Sequence, residues 1–160
     1  MTAYGLIGWH SKALNVINEG QLEQLAGDLS SWGHVDMFAC LLAGRAWRDG
    51  AIQTATIHRW ARSKSRWWRR AALAATVPLN VKSQGGVGDS KRTLAVCDLL
   101  SRDRDDMVVK ALSWALRELA TRDSAPVRQF IRDHEDHLAA RVMREVQNKL
   151  TTGLKNPRRT

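Results

Sequence analysis

Several things are scarce in this 160-residue chain. It has two cysteines, 57 positions apart, each inside an apolar run, MFACLLA for Cys40 and LAVCDLL for Cys97. A disulfide scaffold needs more cysteines than that, so both read as buried free thiols. Two isolated cysteines and five scattered histidines make no group with zinc spacing, and His134 and His137, three apart, have nothing nearby to complete a site. No metal is expected. No apolar run approaches the ~18 residues that cross a bilayer. Residues 1–20 have neither the basic start nor the apolar core of a secretion signal, so the expectation is a cytosolic chain away from membranes. Sustained apolar–polar alternation is also missing, which argues against a sheet. Acid is in short supply: 16 Asp and Glu face 25 Lys and Arg, a net charge of +9 and a pI near 10.4. Such a surplus points to a polyanion, most simply nucleic acid, or to an anionic membrane surface.

The length suits one domain, and a chain of this size buries enough surface to need no staples. A hydrophobic share of 44% with 26% charged residues is that of an ordinary globular protein. Helical segments separated by turn residues are expected near 3–17 and 21–29, then one that starts after Ser30 or Ser31, then near 51–62, 65–77, 91–102, 106–122, 126–134 and 137–150. Ser30 or Ser31 can cap the third of these, with Val35, Phe38, Ala39 and Leu42 as its core face. Pro78 is expected to end the 65–77 helix. Paired short helices point to an all-α, HEAT-like solenoid of antiparallel helix pairs, with a compact bundle as the competing arrangement. No strict sequence repeat is visible. The domain is expected over 1–154, with a basic tail at 155–160.

Four stretches carry candidate chemistry. The loop QGGVGDSK resembles a phosphate cradle at first sight, but it lacks the G-x-x-x-x-G-K-[ST] order and no strand precedes it. It reads as a flexible connection. The second, RWARSKSRWWRR over residues 59–70, holds Arg59, Arg62, Lys64, Arg66, Arg69 and Arg70 without one acid, interleaved with Trp60, Trp67 and Trp68. Guanidinium forks bind phosphate bidentately, so this segment is the favoured nucleic-acid surface, although some of its indoles must anchor the core. Adjacent Trp67 and Trp68 diverge by about 100° on a helix and should not share one buried stripe.

In the third, SSWGHVDMF, Trp32 and Asp36 stand at i, i+4. An acid amid basic surface repels phosphate, so Asp36 must pair with an arginine or meet a cation on the ligand. The fourth is MVVKALSWALRELA over 107–120. Val108, Ala111, Leu112, Ala115, Leu116 and Leu119 form a core stripe, while Trp114 falls on the far side with Lys110, Arg117 and Thr121. An indole between cations offers a π-surface to a flat partner, unless a neighbouring helix covers it.

Together SWGHVD, RWARSKSRWWRRAA and VVKALSWALRE occur in the order seen in AlkD-like DNA alkylation repair proteins, and the chain resembles that family from roughly residue 20 onward. The resemblance implies a HEAT-like-repeat glycosylase that removes 7-methylguanine and 3-methyladenine from duplex DNA without extruding the base, and without metal or nucleotide cofactor. It implies Asp36 as the catalytic acid, Trp32 and Trp114 as indoles flanking the lesion, and Arg69 as the phosphate contact, with Arg70 able to exchange roles with it. Arg59, Arg62, Arg66, Lys110 and Arg117 complete the expected DNA surface. Relatives carry further N-terminal repeats, so a shortened member is expected. The alternatives are a non-catalytic relative that recognises distorted or branched DNA, or a helical scaffold whose indoles dock a protein.

Overall fold

A computed structural model describes residues 16–157, and every regular element among them is helical. The expected helix near 3–17 lies almost wholly outside the described residues. The first described helix, α1, spans Glu19–Ala26 and opens with a full capping box, in which Asn18 accepts from the Gln21 amide while the Gln21 side chain accepts from the Asn18 amide. Then comes one rod in three parts: α2 (Trp32–Phe38), a π-turn segment (Ala39–Ala43) and α3 (Gly44–Arg48). Of the two candidate caps, Ser31 is the one that accepts, from the His34 amide. Helices α4 (Thr54–Ala61), α5 (Arg66–Ala74) and the short α6 (Val77–Asn80) follow. Beyond them lie α7 (Ser90–Leu99), α8 (Asp106–Arg122), α9 (Ser124–Asp133) and α10 (Ala140–Thr152).

The helices lie in two layers. One runs α2, α5, α8, α10, each packed on the next; the other runs α4, α7, α9, again in succession. Members of the two layers pair as α4 with α5, α7 with α8 and α9 with α10. Helix pairs that touch mainly their neighbours make a HEAT-like repeat, and the all-α solenoid stands over the single bundle. The core is continuous from Ile17 to Val146 and includes the expected stripes of α2 and α8. Cys40 and Cys97 are buried thiols; burial pushes Cys40 up to about 12 and Cys97 higher still, so neither is a nucleophile at neutral pH.

Two expectations fail here for physical reasons. Pro78 does not end α5, which closes at Ala74; it sits in the first turn of α6, where its missing N–H is no loss. The glycine-rich loop is not a loose connection either. Arg48 donates to the Gln84 carbonyl, Arg122 to the carbonyls of Asn80 (2.7 Å) and Gly86 (3.2 Å), and the Asn80 side chain binds Thr93, Thr76 and the Asp89 amide. These donors come from distant helices, so the loop's own composition could not show them.

Among the described glycines the tightest backbone approach is at Gly44. A Cβ there would lie 2.4 Å from the Ala75 carbonyl oxygen and 2.8 Å from Pro78 Cγ. Gly44→Ala should therefore force α3 away from α6 and lower stability by about 1–3 kcal/mol, read as a lower midpoint in urea denaturation.

Candidate nucleic-acid interface

The layer α2–α5–α8–α10 carries the chemistry. On α2, Trp32 occupies the first helical position and stands 62% exposed, while Asp36, one turn later, faces α5. Arg70 of α5 meets it with a complete fork: Nε donates to Asp36 Oδ1 at 2.9 Å and Nη2 to Oδ2 at 2.7 Å. The remaining nitrogen, Nη1, donates to the Met107 carbonyl of α8 at 2.7 Å. One buried guanidinium thus joins three successive helices. Its partner is the acid for which either an arginine or a ligand cation was expected, and the arginine is present.

Trp32, Arg70, Met107 and Lys110 line an open cleft of about 210 Å³. That is below the roughly 300–1,000 Å³ of pockets that enclose a small molecule. The cleft suits a ligand met from one side. A larger hollow of about 600 Å³ lies among Glu23, Ala55, Arg59, Trp60, Arg62, Ser63 and Trp68. Its acid is already engaged, since Glu23 accepts from the Trp60 indole at 2.6 Å and pairs with Arg59 at 2.8 Å. The smaller cleft is the one that an exposed indole, Trp32, lines together with Arg70, the partner of Asp36.

The basic segment 59–70 divides in two. Arg59, Arg62 and Arg66 point outward, and Arg66 lies over the Trp67 ring at 5.0 Å. Burial and the charge of Arg62 hold the His58 imidazole below its usual pKa, so the arginines supply the charge at this end of α4. Arg69 and Arg70 turn inward. Arg69 binds Asp103 at 2.7 Å and the carbonyls of Ser63 and Lys64, while Arg70 takes Asp36. Between the two arginines that the sequence left interchangeable, Arg70 is the one at the acid. Trp60 is buried, Trp68 packs on it at 4.9 Å, and Trp67 takes the Arg66 cation, while Trp67 and Trp68 both lie half-buried against the core.

The far side of α8 is less wet than its sequence implies. Trp114 is half-buried against the core, with its indole N–H donated to Glu118 Oε1 at 3.1 Å. Arg117, expected at a phosphate, is only 16% exposed and faces Glu145 of α10 at 4.0 Å, with Ser113 bridging to both. Burial lowers the Arg117 pKa and Glu145 pulls it back. The reason is the stacking of α10 on α8, the covering neighbour that a single-helix projection omits. Lys110 keeps its outward position, one turn before Trp114 on the same side. Sequence reasoning missed Met107, whose contribution is a backbone carbonyl, and Glu118, Glu145 and Asp103. Only the Glu118 spacing, i+4 from Trp114, could have signalled its role.

One layer of this basic helical repeat thus carries an acid held by an arginine, one turn after an exposed indole. The family follows from the sequence: residues 2–150 match the family model described as DNA alkylation repair enzyme, and the chain belongs to that family. The match reaches well upstream of residue 20, where the motif resemblance begins. No curated protein matches the chain.

Half-burial sets what Trp114 should contribute to folding. Trp114→Ala should cost about 1–3 kcal/mol, clearly less than the roughly 3–5 kcal/mol for a fully buried aromatic such as Trp47. Paired denaturation curves of Trp114→Ala and Trp47→Ala test that order.

Proposed function

We propose that this protein is a monofunctional DNA N-glycosylase for cationic alkylated purines, with 7-methylguanine and 3-methyladenine as the substrate class. The observation that carries the proposal is Asp36: a carboxylate oriented through both oxygens by Arg70, which itself lines the open cleft together with the exposed Trp32. Membership of the DNA alkylation repair enzyme family supplies the substrate polymer.

N7-methylation puts a positive charge on guanine, so the base is already a good leaving group. The face of Trp32 attracts such a cationic ring through the indole quadrupole, and Trp114, one turn beyond Lys110 on α8, is the candidate for a second aromatic contact. When the bond from C1′ to the purine nitrogen breaks, its electron pair leaves with the base and cancels the ring charge. The sugar left behind is oxocarbenium-like. A carboxylate already fixed in place stabilises that charge without reorganising. Water then adds to C1′ and loses a proton, leaving an abasic site. Arg70 has a second consequence. It offsets the repulsion that a lone acid would exert on DNA phosphates, so Asp36 can stand at a polyanion-binding surface. The outward Arg59, Arg62, Arg66 and Lys110 are the backbone contacts in this scheme. Arg69 and Arg117 act through the positions of other residues, being engaged by Asp103 and Glu145.

The same arginine fork also favours a second reading, a non-catalytic DNA-binding member of the family in which Asp36 serves only to tie α2 to α5. The two separate in one experiment. Single-turnover release from duplex DNA carrying 7-methylguanine, followed as abasic-site cleavage, should proceed with wild-type protein. Asp36→Asn keeps the size of the side chain and one acceptor but cannot offset positive charge, and should slow release about 100-fold or more. Its affinity for the duplex should hold level, the pattern of an interaction made in the transition state. A variant that binds poorly and melts early while keeping its rate per folded molecule would establish the structural role. A wild type that binds but never excises would establish the non-catalytic one.

A further inference from the structure

We propose that Lys110 of α8 and Arg141 of α10 form a clamp for one DNA backbone phosphate beside the Trp32 cleft, and that Asp106 occupies the place of that phosphate in the free protein. The proposal rests on the DNA-binding part of the reading above and adds Arg141 and Asp106 to it.

Asp106, the first residue of α8, has both carboxylate oxygens engaged by cations from two helices. Lys110 Nζ lies 2.6 Å from Oδ2, and Arg141 Nη1 lies 3.3 Å from Oδ1. Two cations of different helices therefore converge on one anion, the arrangement that a phosphate, with more acceptor oxygens, satisfies through charge-assisted bonds. All three side chains are open to solvent: 42% for Lys110, 38% for Arg141 and 59% for Asp106. Exposed pairs of this kind contribute little to folding, because solvent screens them. The cluster is thus weakly held and can exchange its anion without unpacking α8 from α10.

Place decides the occupant. Lys110 also lines the cleft with Trp32 and Arg70, so an anion held by Lys110 is adjacent to the group bound there. A nucleotide whose base or sugar fills that cleft brings a phosphate of its own. One residue back, Asp105 receives the exposed Arg66 of α5 at 3.5 Å. Arg66, Lys110 and Arg141 thus come from three successive helices of one layer, with the two acids between them. A duplex lying along the stacking direction would meet the three cations in turn. The hydrogen bond from Lys110, with the added charge of Lys110 and Arg141, holds the Asp106 carboxyl below its usual pKa despite some desolvation, so it is ionised at any neutral assay pH. Asp106 then acts against promiscuous binding: a duplex gains the two cations only after displacing the acid.

The test uses anisotropy of a fluorescein-labelled undamaged duplex across a salt series. Asp106→Asn should tighten binding about 3- to 10-fold and steepen the slope of log K against log salt by about one. Arg141→Ala should weaken binding and flatten the slope by about one, and Arg141→Lys should restore most of it. In an Arg141→Ala background, Asp106→Asn should lose much of its gain. A gain of affinity cannot arise from misfolding, so the Asp106 arm holds even if the Arg141 variants melt early. Wild-type-like affinity and slope in Asp106→Asn overturn the clamp. So does an unchanged slope in a folded Arg141→Ala. If wild type binds DNA and excises while both variants match it, the clamp fails alone; if wild type does not bind duplex DNA, the clamp and the DNA-repair reading fail together.

Discussion

The Arg70 guanidinium is the constraint on which the described site depends. It is 6% exposed, and each of its nitrogens donates to a partner on a neighbouring helix, two to Asp36 of α2 and one to the Met107 carbonyl of α8. A buried cation is tolerated only when it is paired and its donors are used. Both requirements are met by the elements that carry the rest of the site. Loss of either side of the pair would leave a charge in a half-buried place, a cost of about 3–5 kcal/mol. The site and the stacking of three helices are therefore held by the same bonds. Asp36 is oriented because α2, α5 and α8 are stacked, and their stacking is in part fixed by Asp36.

Around that linkage the cations fall into two kinds. Arg69, Arg70 and Arg117 are engaged by Asp103, Asp36 and Glu145, the last two on neighbouring helices of the layer and Asp103 in the connection before α8. Arg59, Arg62, Arg66 and Lys110 remain at the surface, some in pairs that solvent reaches. The first kind has little to offer a phosphate, because its geometry is already committed. The second can change partners at small cost. A net charge of +9 thus overstates the number of ready phosphate contacts and says nothing of where they lie. It does ensure a long-range attraction for DNA, which acts before any contact forms.

The core stripe of α8, the stripe of α2 and the positions of most helices were legible in the sequence. Each follows from a period of 3.6 residues and needs no knowledge of neighbours. The order of the three motifs was enough to indicate the family. Partnership was not legible. A segment of six cations without an acid finds its acids at Glu23, Asp36, Asp103 and Asp105, in other elements. The loop around Gly85 and Gly86 is tied down by Arg48 and Arg122 from outside it.

Arg69 against Arg70 is the sharpest case. The two are adjacent, identical in chemistry and about 100° apart on one helix. Local sequence therefore treats them as exchangeable, whereas the packing of α5 between α2 and α8 sends Arg70 to Asp36 and Arg69 to Asp103. Arg117 was placed on the right side of α8 and in the wrong surroundings, because α10 arrives later in the chain and brings Glu145 to it. The sequence by itself determined which residues face a core, since that is a property of one helix. Which charges meet, and which remain for a ligand, the tertiary structure decided, since an ion pair depends on the distance between two helices that local periodicity does not encode.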